Sequence, residues 1–331
     1  MLAFVIRRIV QAVAVLFAVS LVTFGLFYAA PSDPARIACG PKCDAGQIAA
    51  VEKSMGLSEP IATQYVTYLT GLVAGRDITD VDGTTVIDCS APCLGYSYFM
   101  QEPVTDAIAD RFPVTLSLTL GTVALVIVLG MGTGFITAIK RRTWVDRWLS
   151  TFTLLGASVQ LYFIGYIAQY YLAFQSSIFP KPAYVPFSED PAGWFAGMLL
   201  PWLCLGIVSA AMYARLARSQ MLETMGEGFI RTARAKGMST WRTHLKYTSR
   251  GTAAPMVQLL GLEIGFTLSG AVIAETVFGL NGIGKLSVDA ILQNDLPTIV
   301  GTVMVAAFIV VLFIAIADFF IALLDPRVRL S

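Results

Sequence analysis

Two pairs of closely spaced cysteines, Cys39 with Cys43 and Cys89 with Cys93, each have the form C-x3-C. Four thiolates could bind a zinc ion, whereas cysteines on the oxidising side of a membrane form lasting disulfides. The topology argued below places all four on that side, which favours two disulfides over metal binding or free thiols. Four cysteines allow three pairings. We expect bonds that fasten the segment of the second pair to the loop after the first helix.

A glycine-rich segment and a single histidine suggest other chemistry, which their surroundings argue against. Gly279 to Lys285 reads G-x4-G-K, the spacing of a phosphate-binding loop, but Leu286 follows where serine or threonine is required. No apolar strand precedes this segment, and the topology places it outside the cell, so we do not expect nucleotide binding. Because His244 is the only histidine, catalysis by histidine clusters and metal ligation by paired histidines are excluded. We expect His244 at a surface or an interface.

Two carboxylates lie within apolar segments, where a charged group facing lipid is costly. Glu263 lies in the middle of the fifth such segment, and Asp318 lies near the end of the sixth. Each could relay protons, or could hydrogen-bond helices together and face an aqueous path. One isolated carboxylate without a neighbouring histidine is a poor relay. We therefore expect Glu263 to line a translocation path or to serve helix packing.

The composition indicates which elements must position these residues. Of the 331 residues, 56% are hydrophobic and 14% are charged, and the mean hydropathy is +0.70. Soluble proteins carry about 25% charged residues. The net charge of +1 argues against nucleic acid as a partner of the whole chain. We therefore predict an integral membrane protein that lies in a lipid bilayer.

Six apolar segments are each long enough to cross the hydrocarbon layer as a helix, which needs about 20 residues. Their continuous apolar character argues for helices and against barrel strands, which would alternate with a period of two. The sequence thus predicts an all-α fold, in which Pro201 makes the fourth segment the weakest. The predicted spans are Ile9 to Ala30, Val114 to Ile139, Trp148 to Leu172, Trp194 to Met212, Ala253 to Phe278 and Thr298 to Leu323.

The placement of lysine and arginine gives the orientation, because cytoplasmic loops carry an excess of these residues. Most of the 23 lie in segments that are cytoplasmic when the N-terminus is inside. We therefore predict a multi-pass protein of the plasma or inner membrane with both termini cytoplasmic. Residues 1–30 form the tail and first span, and residues 31–113 form an extracellular subdomain. Residues 114–331 form the other five spans, with a cytoplasmic loop at 215–250.

The cytoplasmic loop has a distinctive pattern from Gly228 to Arg250. It is basic and rich in helix formers, and Gly237 separates two helical stretches. A helix over Phe229 to Lys236 should stop at this glycine, because glycine readily adopts the left-handed conformation that caps helices. A second amphipathic helix should follow from Thr240. The two short helices would form a compact knob.

This loop resembles the EAA loop of ABC-importer permeases, because Ala233, Ala235 and Gly237 match its alanine and glycine core. The likeness is greatest to the dipeptide/oligopeptide permease family, whose loop typically reads V/I-R-T-A-R-A-K-G. Further matches in order along the chain are Pro31-Ser32-Asp33-Pro34, Met55-Gly56-Leu57, Arg111-Phe112-Pro113, the E-x-x-F-x-x-x-G-x-G element of Glu275, Phe278, Gly282 and Gly284, and the closing Asp325-Pro326-Arg327. Between Asp77 and Leu94 the chain carries additional residues, including Cys89 and Cys93, that the family pattern lacks.

The resemblance implies a type I ABC importer permease fold with six transmembrane helices, in a subunit that is not an enzyme and binds no cofactor itself. A second, similar permease would supply the other half of the translocation path, most simply as a heterodimer. Two ATPase subunits carrying ATP and Mg2+ would dock below, and an extracellular solute-binding protein would deliver peptide from above. Ala233 and Ala235 would pack in the ATPase groove. The residues implied in coupling are Phe229, Arg231, Ala233, Arg234, Ala235, Lys236, Gly237 and Met238.

Two other classes of protein remain as alternatives. A proton-coupled carrier that uses Glu263 would transport without an ATPase, and a non-transporting scaffold would have no ATPase partner. Within the ABC class, nickel complexes and oligosaccharides are alternatives to di- and oligopeptides as cargo.

Overall fold

A computed structural model of the protein describes residues 2–26, 33–39, 44–54, 56–79 and 86–324. This part of the chain is mainly helical. Its helices are α1 Leu2–Phe24, α2 Pro34–Cys39, α3 Ala45–Ser54, α4 Ile61–Ala74, α5 Val104–Leu125, α6 Gly132–Ile139, α7 Trp144–Ser158, α8 Leu161–Ala168, α9 Pro191–Gly226, α10 Gly228–Ala235, α11 Thr240–Thr243, α12 Ser249–Leu268, α13 Val272–Phe278, α14 Ile283–Gln293 and α15 Leu296–Leu324. Wider π-helical turns continue α5 at Val126–Met131, α8 at Gln169–Gln175 and α11 at His244–Thr248.

Among the described residues, four helical stretches are long and apolar enough to cross a membrane alone. They are Ile6–Phe24, Val104–Ile139, Pro191–Gly226 and Leu296–Leu323. Two bent pairs qualify as further spans: Trp144–Gly156 with Leu161–Gln175, bent by 92°, and Gly251–Leu268 with Val272–Phe278, bent by 47°. Counting each bent pair as one span gives six, in the order that the sequence predicts.

Two of these helices extend well beyond the apolar segments that predicted them. Helix α9 has 36 residues, so its last turns occupy the start of the predicted 215–250 loop. It begins where the Asp190 carboxylate accepts a hydrogen bond from the Ala192 amide at 3.1 Å, and it runs through Pro201 without a break. Helix α5 begins at Val104, inside the stretch assigned to the subdomain. Hydropathy marks contact with hydrocarbon, whereas caps and packing decide where a helix ends.

Between the first two spans lies a subdomain of short helices and strands. Strands β1 (Arg76–Thr79) and β2 (Val86–Cys89) pair antiparallel, as do β3 (Tyr96–Ser97) and β4 (Glu102–Pro103). A small apolar core holds it together, made of Ala35, Val51, Ile78, Cys89, Cys93, Tyr96 and Tyr98. A hydrogen bond of 2.6 Å from the Ser97 hydroxyl to the buried Asp295 carboxylate links this subdomain to the start of α15.

The disulfide of this subdomain joins Cys89 to Cys93. A disulfide at these cysteines is confirmed, but the prediction that it fastens the segment to the loop after the first helix is wrong. The two residues are only four apart in sequence, and the chain turns between β2 and β3, so the sulfur atoms meet locally. The contact of Ser97 with Asp295 provides an attachment instead. The side chains of Cys39 and Cys43 lie outside the described part of the chain.

Candidate functional site

The segment from Gly228 to Thr248, called the knob below, turns sharply at Gly237. The Gly237 amide donates to the Arg234 carbonyl at 3.0 Å, and the Met238 amide donates to the Ala233 carbonyl at 3.3 Å. This pair of bonds is the Schellman arrangement, which requires a left-handed residue, and Gly237 has φ +77°. Ser239 then caps α11, because its hydroxyl accepts from the Arg242 amide. The predicted glycine turn is present.

The second helix of the knob differs from the separate short helix that the sequence predicts. Helix α11 continues through the π-helical turn His244–Thr248 directly into α12, the first part of the fifth span. The knob therefore has no flexible connection on that side. A displacement of α11 must displace α12 as well.

The solvent-accessible surface of the knob carries exposed aromatic and basic side chains. Phe229 is 47% exposed and Trp241 is 62% exposed, while Ile230 is fully buried. Arg231, Arg234, Ala235 and Lys236 are also exposed. Both aromatic side chains lie outside the stretches that are long and apolar enough to span a membrane, so they are accessible to another protein. The sequence pattern did not single out Trp241, although its position directly after the glycine turn could have indicated it.

Ala233 lies on the inner side of the knob. Only 8% of its surface is exposed, and its carbonyl takes part in the turn at Gly237. The expected packing of Ala233 against a partner's groove is therefore wrong for this chain, because the residue packs inside its own subunit. Ala235, two positions later, is exposed as a contact residue would be.

His244 is buried at the base of the knob, so the expectation of a surface position is wrong. The residue is 4% exposed, and its Nδ1 atom has no hydrogen-bond partner among the described residues. Burial lowers the pKa of this imidazole, and the positive charge of Arg234 lowers it further. The neutral form is therefore the one that the folded knob favours.

An ion pair connects the third and fourth spans on the knob side. Arg218 on α9 donates to both oxygens of Asp146 on α7, at 3.1 and 3.0 Å. The amide of Arg142 and the hydroxyl of Ser150 also donate to this buried carboxylate, so its hydrogen-bonding capacity is well used. Bidentate pairs of this kind hold two helices at a fixed angle.

The two intramembrane carboxylates both contact protein groups. Glu263 on α12 is half-buried and lies 3.4 Å from the hydroxyl of Tyr213 on α9, which also donates to the Leu259 carbonyl at 2.7 Å. Asp318 on α15 forms an ion pair with Arg8 on α1 at 3.0 Å. Each of these contacts joins two helices.

Another buried carboxylate, Glu275, lies on the subdomain side, and sequence reasoning noted it only as part of a motif. It is completely buried. The Thr115 hydroxyl on α5 donates to its Oε1 at 2.8 Å, and the Lys285 amide donates to its Oε2 at 2.9 Å. The Ile283 amide in turn donates to the Thr115 hydroxyl at 2.9 Å. Glu275 thus fastens the N-terminus of α14 to α5.

Two family models match most of the chain. Residues 1–119 match one described as "Binding-prot-dependent transport system membrane comp, N-term", and residues 130–330 match "Binding-protein-dependent transport system inner membrane component". The chain belongs to this family of membrane permease components. The type I permease fold and the ABC importer permease family predicted from the resemblance are thereby confirmed.

Two relatives illustrate the range of named substrates. The chain is 32% identical, over 98% of its length, to the "Probable peptide ABC transporter permease protein y4tP" of Sinorhizobium fredii. It is 31% identical, over 99% of its length, to the "Glutathione transport system permease protein GsiC" of Escherichia coli K12. In both cases 99% of the relative is covered.

Proposed function

We propose that this permease subunit forms half of the path by which an ABC importer moves di- and oligopeptides into the cell. Both termini and the knob lie in the cytoplasm, and the subdomain lies outside. The observation that carries the proposal is the knob itself. It combines a fixed glycine turn, exposed Phe229 and Trp241, and an unbroken helical connection to the fifth span.

The knob transmits force because it is stiff. Closure of two docked ATPase subunits displaces α10 and α11, and the continuous connection moves α12 with them. Helix α12 packs against α15, with Gly261 so close to the Phe313 carbonyl that a Cβ would lie 3.0 Å from that oxygen. The displacement therefore passes to the sixth span. The knob has two positions, and the open and closed ATPase states must differ in which position they bind more tightly.

The chain itself binds no cofactor and performs no catalysis. ATP and Mg2+ are bound by the two ATPase subunits, and their energy reaches this chain through Phe229, Ala235 and Trp241. A second, homologous permease completes the path, most simply as a heterodimer. A solute-binding protein outside the membrane delivers the substrate.

Peptides are the substrate class supported by the relatives. One relative carries "peptide" and the other "glutathione" in its name, and glutathione is itself a small peptide. The chain is about equally similar to both relatives, and both of the named substrates are peptides.

Reconstitution tests the proposal directly. The chain is co-purified with its candidate partners and placed in proteoliposomes, and uptake of a labelled dipeptide is followed with and without internal ATP. Uptake should require ATP and the binding protein, and a protonophore should leave it unchanged. Uptake that persists without the ATPases and collapses with the protonophore would instead establish a proton-coupled carrier.

A further inference from the structure

A cavity of about 420 Å³ opens on the subdomain side, between the start of α5 and α14. Five charged side chains line it: Glu102, Asp110 and Arg111 around the start of α5, and Lys285 and Asp289 on α14. The side chain of Tyr184, from the segment before α9, closes another part of the wall. The cavity thus has both cationic and anionic groups on its surface.

These charges are not paired tightly with one another. Asp110 and Asp289 have no ion pair or hydrogen bond to another side chain within the described part of the protein. Arg111 forms only a long ion pair with Glu102, at 3.8 Å, and its Nη1 donates to the Ala107 carbonyl of its own helix at 2.8 Å. Lys285 donates to the neutral Asn281 amide oxygen at 2.8 Å. Both signs of charge therefore remain available to a ligand.

One wall of the cavity is held rigidly by Glu275. The Lys285 amide and the Gly284 backbone both hydrogen-bond to this buried carboxylate. A Cβ at Gly284 would lie 3.0 Å from Glu275 Oε2, so the close approach requires glycine. The Lys285 side chain projects into the cavity from a backbone that is fixed at its own amide. A positioned charge loses little freedom when a ligand binds.

We propose that this cavity binds the free ends of a short peptide as it passes from the binding protein into the membrane. Lys285 and Arg111 receive the terminal carboxylate, and Asp110 and Asp289 receive the terminal ammonium group. Every unmodified peptide carries this pair of charges whatever its side chains, so the site recognises the class without selecting a sequence. The inference rests on the proposed function, because it names the chemistry by which that substrate is recognised.

A labelling experiment tests this binding. Asn281→Cys places a thiol at the cavity, and its modification by a charged methanethiosulfonate is followed by mass spectrometry of the fragment containing position 281. The complete transporter is used in lipid nanodiscs, without binding protein. Dialanine should slow labelling several-fold, and N-acetyl-dialanine amide, which lacks both charges, should not.

Charge-neutral variants then locate the binding groups. Lys285→Gln and Asp289→Asn should each remove most of the protection by dialanine. Lys285→Gln changes only the side chain, so the hydrogen bond from the backbone amide to Glu275 and the fold of α14 should be retained. Lys181→Gln and Glu189→Gln are matched controls, because these exposed charges lie in the segment before α9 and do not line the cavity. They should leave protection intact.

Three results would overturn the inference. Equal protection by the blocked peptide would show that the terminal charges are not recognised. Absence of protection by any peptide, in a complex that imports peptide with ATP when it is reconstituted in proteoliposomes with the binding protein, would refute this site and leave the proposed function standing. In a separate sample to which peptide-free binding protein is added, protection by that protein but not by dialanine would identify a docking surface for it. Failure of ATP-driven import in the wild-type complex would refute the proposed function separately.

Discussion

Replacement of Gly237 tests whether the knob couples ATP hydrolysis to transport. At φ +77° the position lies in the left-handed region, and nothing lies within 4 Å of a Cβ placed there. A substituted side chain therefore meets backbone strain but no clash. The left-handed conformation costs an L-residue about 1–2 kcal/mol. The cost is at or above the upper end of this range for a β-branched side chain and well below the range for asparagine.

The strain predicts a graded series of variants. The turn can relieve this backbone strain by opening. A strain of about 1.4–2 kcal/mol would then reduce the population of the intact knob by about tenfold to thirtyfold. Gly237→Ala should therefore weaken ATPase binding, Gly237→Val should weaken it more, and Gly237→Asn should remain near wild type. Gly228→Ala is the matched control, because Gly228 has no left-handed φ and no atom within 4 Å of its Cβ position.

The assay measures peptide uptake and ATP hydrolysis stimulated by loaded binding protein, at equal membrane abundance. Abundance should not change, because the knob lies outside the six spans. Gly237→Val should lose stimulation that Gly237→Asn retains. Wild-type coupling in the valine variant would refute the argument that this turn transmits force. Equal loss in the asparagine variant would show that added side-chain bulk, and not backbone strain, is responsible.

Three further predictions concern buried polar groups. Arg218→Met should lower the free energy of unfolding in detergent by about 2–3 kcal/mol, because it leaves the Asp146 carboxylate without its charged partner, and adding Asp146→Asn should recover part of the loss. Glu263→Gln should retain most ATP-driven uptake in vesicles, and complete loss at normal expression would favour a proton-carrying role. Because the folded state lowers the pKa of His244, the unfolded chain binds the proton first as pH falls. The free energy of unfolding should therefore decrease below about pH 6.5, and His244→Asn should flatten that part of the pH profile.

The sequence predicted the features that depend on local pattern. Apolar runs located four helices that are long enough to span a membrane and two bent helix pairs, and one glycine between two helical stretches located the turn at Gly237. Both signals are local, since hydrocarbon thickness fixes the length of a span and left-handed backbone favours glycine.

Features that depend on packing between distant segments were not predictable in the same way. Whether Ala233 faces outward or inward is decided by which side of α10 meets its own subunit, and the same holds for His244 at the base of the knob. The bond between Cys89 and Cys93 is local, but four cysteines allow three pairings and their spacing did not choose among them. The charged cavity joins residues near position 110 to residues near position 285, which no local pattern connects.

The G-x4-G-K segment shows how a false motif can carry a correct physical signal. Phosphate-binding loops use glycines and the free amides of a helix N-terminus to surround an anion. Here Gly282 and Gly284 bring the start of α14 against the Glu275 carboxylate, and the Lys285 amide donates to it. The carboxyl group of Glu275 thus accepts from an amide at the start of α14 that a phosphate-binding loop would leave free for its ligand. The E-x-x-F-x-x-x-G-x-G element has a structural explanation here, because its glutamate and glycines form a single buried contact. That contact positions Lys285 at the cavity.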